Sequence, residues 1–156
     1  MKLGNILRMQ GGTPETGRPV RFQLRKKQKD GTFCRVWADA QLLPVTVSEV
    51  AEVHADVAEY LAENPGRNKE DETNIRFLAK ALHDAQRNAL KFVDSNQIEE
   101  FASAIVMQQV ARLITEYNIM IRDQYPECWA SDEEREEAEE KAEDFSDDGT
   151  DDSSQS

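Results

Sequence analysis

The last 26 residues, 131–156, differ so strongly from the rest of the chain that they limit where a core can form. They contain 13 aspartates and glutamates against two lysines and arginines, a net charge of −11 out of −12 for the whole 156-residue chain. A segment this charged and this poor in apolar side chains cannot bury enough surface to offset the entropy of ordering, so we expect it to be mostly disordered. The sequence therefore predicts one folded domain over residues 1–130 and an acidic tail.

The first 130 residues suffice for a hydrophobic core without disulfide or metal support. Two cysteines, Cys34 and Cys128, lie far apart and form no C-x-x-C pair, which favours a reducing cytoplasm over an oxidising compartment. The first ten residues lack the apolar run of a signal peptide. The sequence also has no stretch approaching the roughly 20 apolar residues that span a bilayer. We therefore expect a soluble cytoplasmic protein without a membrane partner.

Basic residues concentrate at the start of the predicted domain. Residues 1–40 hold nine lysines and arginines and three acids, a net of +6, whereas residues 41–130 carry a net of −7. The run Arg25–Lys29 could contact phosphates, but it is short, and the net charge of the chain argues against a nucleic-acid partner. Lysines that discourage pairing at a strand edge are the simpler interpretation. We divide the domain into a basic β-containing part, 1–40, and a helical part, 41–130.

The basic part predicts a β-hairpin. Val20, Phe22 and Leu24 alternate with polar residues, the pattern of a half-buried strand. Asp30-Gly31 is a hairpin turn signal, because this dipeptide readily adopts positive φ. The return strand over residues 33–38 alternates imperfectly, so its pattern leaves the register open.

Two helices are predicted after the hairpin. The segment 46–49 matches a capping box, and Asn64-Pro65-Gly66 ends the helix that follows it. The apolar face of this first helix consists of Val50, Val53, Val57 and Leu61. The second helix begins in the acidic segment 69–72, whose charges suit the positive end of a helix dipole. It continues to about residue 93, with apolar positions at spacings of 3, 4, 3 and 4: Ile75, Leu78, Leu82, Ala85 and Ala89.

A third helix over residues 97–124 would be about 42 Å long at 1.5 Å per residue, and it carries two apolar faces. The first face consists of Ile98, Ala102, Ile105, Leu113 and Met120. The second face consists of Met107, Val110, Ile114, Tyr117 and Ile121. The short connection at 94–96 makes the last two helices a long antiparallel hairpin, so the fold class is α+β and mainly α.

Two apolar faces on one helix predict two neighbours. The second neighbour is the rest of the domain, another subunit or a client protein, and packing within the domain is the simplest of the three because exposed apolar patches are uncommon on monomers. We take the second face as the candidate partner-binding surface. Tyr125 and Trp129, the last aromatic pair before the tail, extend this surface or fold back onto the domain.

No residue pattern predicts a catalytic, cofactor or metal site. His54 and His83 are isolated, and the sequence contains no P-loop, nucleophile elbow or dinucleotide fingerprint. Residues 144–155 match five positions of a calcium loop, but Gln155 stands where the bidentate carboxylate is needed, and no helix follows. We therefore expect a protein that is not an enzyme and uses no cofactor.

The order of these parts resembles that of the tail assembly chaperones of long-tailed bacteriophages. A basic β-containing start is followed by the helix that opens at Thr46-Val47-Ser48-Glu49-Val50, then by two long amphipathic helices and a polar, acidic end. The resemblance is one of layout over about residues 20–126, since the family has no catalytic or ligand motif to compare. It implies a protein that binds the tape measure protein in the host cytoplasm and keeps it soluble. It also implies a longer frameshifted product that recruits tail tube subunits.

Two other function classes fit the sequence. An acidic mimic of nucleic acid that inhibits a DNA-binding protein would need regularly spaced carboxylates on the folded domain, whereas here the acids concentrate in the tail. A structural or adaptor component of a virion would remain in finished particles, from which a chaperone is absent. Homo-oligomerisation through the long third helix is compatible with each class.

Overall fold

The computed structural model describes residues 2–8, 12 and 15–126, without side chains for 6–8. The fold is α+β, and a 3₁₀ turn at Ser95–Gln97 precedes its last two helices. The elements in chain order are α1 Leu3–Arg8, β1 Arg18–Lys27, β2 Phe33–Leu42, α2 Val47–Glu63, α3 Lys69–Ala81, β3 Leu82–Asp84, α4 Ile98–Ala104 and α5 Met107–Gln124. None of the described helices is both long and apolar enough to cross a membrane. The predicted acidic tail, with its partial calcium motif, lies outside the described residues.

The predicted hairpin is confirmed, and it is longer than its sequence pattern indicated. β1 and β2 are antiparallel, with Val20 opposite Ala40 and Leu24 opposite Val36. Gly31 adopts a φ of 89° at the turn. The Asp30 carboxylate accepts hydrogen bonds from the Thr32 hydroxyl and backbone N–H, at 2.6 and 2.9 Å. These bonds stabilise the ionised carboxylate and lower the pKa of Asp30.

The second predicted helix is wrong beyond Ala81, where α3 ends instead of continuing to about residue 93. Leu82 is already extended and begins β3, which pairs antiparallel with β2 so that Leu82 lies opposite Leu42. Distant donors satisfy the last helical carbonyls: Leu43 N–H donates to Ala81 O at 2.9 Å, and Lys91 Nζ donates to Lys80 O at 2.7 Å. The helix ends here because the sheet and Lys91 bind the carbonyl groups that a further turn would have used.

The chain turns back directly after β3. The Asp84 carboxylate accepts the backbone N–H groups of Gln86 and Arg87 at 2.9 and 3.0 Å. Ala85 and Ala89, which we predicted on a helical apolar face, are exposed in this turn. Residues 90–92 then run along the second edge of β3, where Phe92 N–H donates to Leu82 O at 3.2 Å.

The long third helix, and with it the predicted antiparallel helical hairpin, is also wrong. Ile105 is extended, with φ −99° and ψ 134°, and it separates α4 from α5. Its side chain is buried, and the carbonyl of Val106 accepts the first helical bonds of α5, from Gln109 and Val110 N–H at 3.0 and 3.2 Å. Two consecutive β-branched residues disfavour helix at this point. α5 alone is about 27 Å long.

The core lies between one face of the sheet and the helices. Phe22 is fully buried, and its ring packs edge-on against Phe92 at 5.6 Å between ring centroids. Other fully or almost fully buried side chains come from β2, α2, α3, β3 and α5: Leu42, Val53, Val57, Leu78, Leu82, Val110 and Leu113. One charged pair, Glu72 and Arg76 of α3, is buried as well.

The predicted capping box of α2 is confirmed. The Thr46 hydroxyl accepts Glu49 N–H at 3.2 Å, and the Glu49 carboxylate accepts Thr46 N–H at 3.1 Å. Burial alone would raise the pKa of Glu49, but the bonds from Thr46 N–H and from Lys91 outweigh it and hold that pKa below its usual value. Asn68 caps α3 in the same manner, since its side chain accepts Asp71 N–H at 3.0 Å.

The capping box leads to a stability prediction. Thr46→Ala leaves an N-terminal amide of α2 without its acceptor and should lower the free energy of unfolding by about 1 kcal/mol. Thr46→Ser keeps the acceptor oxygen and should stay close to wild type. Urea denaturation of the two variants measures the difference, and equal losses would show that the hydroxyl bond does not stabilise the helix.

Candidate functional site

The structure divides the predicted partner-binding surface between core and solvent. Val110 and Tyr117 are buried, with exposed fractions of 2% and 8%, whereas Met107 is 52% exposed. Ile114, Ile121 and Tyr125 are half-buried, and Trp129 lies outside the described residues. The buried line of α5 combines Val110 and Tyr117 with Leu113, which we had assigned to the other face. The seven predicted residues therefore do not form one open stripe.

Tyr117 fixes α5 to the segment that enters α2. Its hydroxyl oxygen accepts Val45 N–H at 2.9 Å, and its ring packs edge-on against Phe77 at 4.8 Å between centroids. Burial raises the pKa of Tyr117. These contacts make Tyr117 a structural residue of the core.

The polar face of α5 covers the outer edge of β1. Gln109 accepts the backbone N–H of Gln23 at 3.4 Å, and Arg112 donates to the carbonyl of Arg21. One turn further along α5, Glu116 pairs with Arg18 at 3.1 Å. Side chains spaced three and four residues apart on the helix thus bind the strand, so β1 is not an open sheet edge along this length.

Exposed apolar groups concentrate instead at the distal end of the hairpin. An open groove of about 530 Å³, which we call the hairpin groove, is lined by Gln23, Leu24, Arg25, Phe33, Cys34, Arg35 and Val106. Phe33 is 52% exposed and Val106 is 42% exposed. The next residue, Met107, is the one exposed member of the predicted surface among its described residues. The groove therefore combines apolar contact area with guanidinium groups.

The outer face of the hairpin carries paired arginines and aromatic rings. The Arg25 guanidinium lies 3.7 Å from the centroid of the Phe33 ring, and that of Arg21 lies 4.9 Å from the centroid of Trp37. Arg21 also contacts the Asp39 carboxylate at 3.5 Å. These two guanidinium groups are held by cation–π and ionic contacts in the protein itself.

Sequence reasoning missed the exposed residues of the hairpin. Phe33 and Trp37 lie four positions apart on β2, so they share a face with Arg35 and Asp39. The signal was present, because charged residues at alternate positions mark a face in contact with water. The apolar residues of the strand alternate imperfectly, however, so they left open which face meets the core.

Of the two histidines, His83 is held by contacts within the fold. His83 Nδ1 lies 2.6 Å from Asn88 O, and its Nε2 lies 3.4 Å from Lys91 Nζ. Burial, followed by the Lys91 charge, lowers the pKa of His83. His54 is exposed. Within the part of the chain that the structure describes, no three histidine, cysteine, aspartate or glutamate side chains group in a way that could hold a metal ion.

A second open cavity, about 570 Å³ in volume, lies where α3 meets the segment 91–98. Its lysines are already paired: Lys80 contacts Glu52 at 2.6 Å, and Lys91 contacts Glu49 at 3.2 Å. This cavity therefore offers an anion no unpaired lysine, and the hairpin groove is the stronger candidate for binding.

No protein-family model, curated protein or solved structure matches this chain.

Proposed function

We propose that this protein is a non-enzymatic tail assembly chaperone that binds a phage tape measure protein in the host cytoplasm and keeps it soluble. The observation that carries the proposal is the hairpin groove, where Phe33 and Val106 are exposed beside Arg25 and Arg35. Exposed apolar side chains bordered by charge suit an amphipathic protein segment. Part of the layout that resembles that family also supports the proposal: a basic hairpin, the helix that opens after Thr46 and an acidic end. The two long helices of that layout are replaced by α3, β3, α4 and α5 and do not support it.

Binding and solubility would come from different parts of the chain. The hairpin groove would cover apolar surface of the client, while the net charge of −11 on residues 131–156 would keep the complex in solution. The cycle needs no cofactor and no hydrolysis. Recruitment of tail tube subunits would belong to a longer product that carries an additional domain.

The double variant Val106→Asp and Met107→Glu tests the groove. Both residues lie at the start of α5, where acidic side chains are favourable, so the helix should keep its stability. We expect client binding to weaken by at least about tenfold, because a charge would then face an apolar contact. Co-expression with the tape measure protein of the same phage, followed by measurement of its soluble fraction, checks this.

Val47→Glu is the matched control. Val47 is 88% exposed and also begins a helix, but it does not line the hairpin groove. The control should keep the client soluble. If the double variant remained folded and kept the client as soluble as the control does, the groove would not be the binding surface.

Mass spectrometry of finished virions separates a chaperone from a structural component of the virion. A structural component is retained in the particles, and a chaperone is absent from them.

A further inference from the structure

The sheet has a second edge along β2, and no described residue pairs with most of its length. The hydrogen bond from Gln28 N–H to Thr32 O, at 2.7 Å, shows that the even-numbered residues of β2 bond to β1. The odd-numbered residues therefore direct their N–H and C=O groups away from β1. The bond from Leu43 N–H to Ala81 O follows the same alternation on the β3 side. In the part of β2 that does not pair with β3, the outward-directed residues are Phe33, Arg35, Trp37 and Asp39.

β3 covers only the end of this edge. It pairs with Ala40, Gln41 and Leu42, and the chain then turns away at Asp84. Among the described residues, none donates to or accepts from the outward backbone groups of 33–39. We call this segment the open edge. Its four outward residues offer about eight backbone hydrogen bonds to an added strand.

The two faces of the open edge have different chemistry. On the outer face, the cation of β2 is Arg35, beside Arg25 and Lys27 of β1, while Asp39 at the far end is paired with Arg21 at 3.5 Å. On the inner face lie Cys34, Val36 and Ala38, of which Val36 is 38% exposed. A strand added here would place one set of alternate side chains next to Arg35 and the other set next to the apolar groups of the inner face.

We propose that the open edge binds an extended segment of a partner protein by strand addition, and that this segment alternates acidic and apolar residues. Its acidic residues lie on the outer face across from Arg35, and its apolar residues lie on the inner face beside Val36. The backbone bonds give affinity, and the two faces give selectivity. The open edge shares Phe33, Cys34 and Arg35 with the hairpin groove, but it binds through backbone groups of β2 and uses neither Val106 nor Met107. The N-methylated peptides and the variants at Val106 and Met107 therefore test the two proposals separately.

The probe is a seven-residue peptide of alternating glutamate and valine, and Trp37 is the reporter. Trp37 is 58% exposed on the open edge, and Trp129→Phe removes the other tryptophan of the chain. Titration should change the Trp37 fluorescence with saturation below about 1 mM peptide. A peptide of alternating lysine and valine should bind at least about tenfold more weakly, because its charges oppose the cations of the outer face.

Backbone pairing is tested in the peptide, so the protein stays unchanged. Two peptides are compared, N-methylated at the odd or at the even positions. In one of them the methyl groups remove the N–H donors that face β2, and in the other they remove the donors that face solvent. One methylated peptide should lose binding by at least about tenfold, and the other should keep it. Equal binding of both peptides, or no fluorescence change with the unmethylated peptide, would overturn the proposal.

Arg35→Pro tests the same edge from the protein side. The N–H of Arg35 points outward, so proline removes no bond of the hairpin but blocks an added strand. We expect loss of peptide binding with unchanged circular dichroism. Arg35→Gln should weaken binding and reduce its salt dependence. Two results would assign the edge to another occupant and overturn the proposal. The first is that light scattering shows dimers that form through β2 and that the peptide does not displace. The second is that oligothymidylate binds more strongly than the peptide.

Discussion

Glu72→Ala is expected to lower the free energy of unfolding by about 3–5 kcal/mol. Glu72 is 3% exposed and accepts from Arg76 Nη1 at 2.8 Å, and the Arg67 guanidinium contacts its second oxygen at 3.0 Å. Without Glu72, the Arg76 charge stays buried and loses its counter-ion, although its guanidinium still lies 4.5 Å from the centroid of the Tyr60 ring. Urea denaturation followed by circular dichroism measures the loss.

Two further variants show whether an unpaired charge causes that loss. Glu70→Ala, at an exposed position in the same first turn of α3, should cost under about 1 kcal/mol. The double variant Glu72→Met with Arg76→Leu removes both charges and should recover most of the stability, because apolar side chains can replace a buried ion pair. A double variant as unstable as Glu72→Ala would contradict this explanation.

Phe22→Ala should cost a similar amount, about 3–5 kcal/mol, for a different reason. The Phe22 ring is fully buried and packs against Phe92, so its removal leaves a cavity beneath the sheet. Phe33→Ala, on the outer face of the same hairpin, is the matched control and should cost under about 1 kcal/mol. Thermal unfolding of both variants makes the comparison, and equal losses would contradict the placement of the core.

The parts of the fold that were predictable depend on neighbouring residues. Asp30-Gly31 specifies its turn through its own backbone preferences, and Thr46 with Glu49 specifies a helix start within four residues. The end of α3 was not predictable in this way. Leu82 fits an apolar helical face as well as a buried strand, and the donor that decides between them comes from Leu43. Local periodicity cannot register such a distant bond.

In the candidate site, too, the sequence indicated the local structure but not the contacts between distant residues. The apolar spacing of Val110 and Tyr117 correctly indicated one face of a helix, but spacing does not tell whether a face meets the domain or a partner. The break at Ile105 changes which positions of α4 and α5 share a face. The buried face of α5 therefore combines residues of both predicted faces, and Met107 at the start of the helix is exposed. The hairpin groove needs β1, β2 and Val106 together, and only the tertiary structure brings them to one place.

The short ladder between β2 and β3 has a consequence for the order in which the protein folds. Lys27 and Phe33 pair across 6 positions (33 − 27), whereas Leu42 and Leu82 pair across 40 (82 − 42). Closing a longer loop costs more chain entropy, and contacts between distant residues form slowly. We expect the first two strands to meet early and the third to join them only after α2 and α3 have packed together. The rate at which the sheet is completed should therefore depend on residues of the two helices that never touch it.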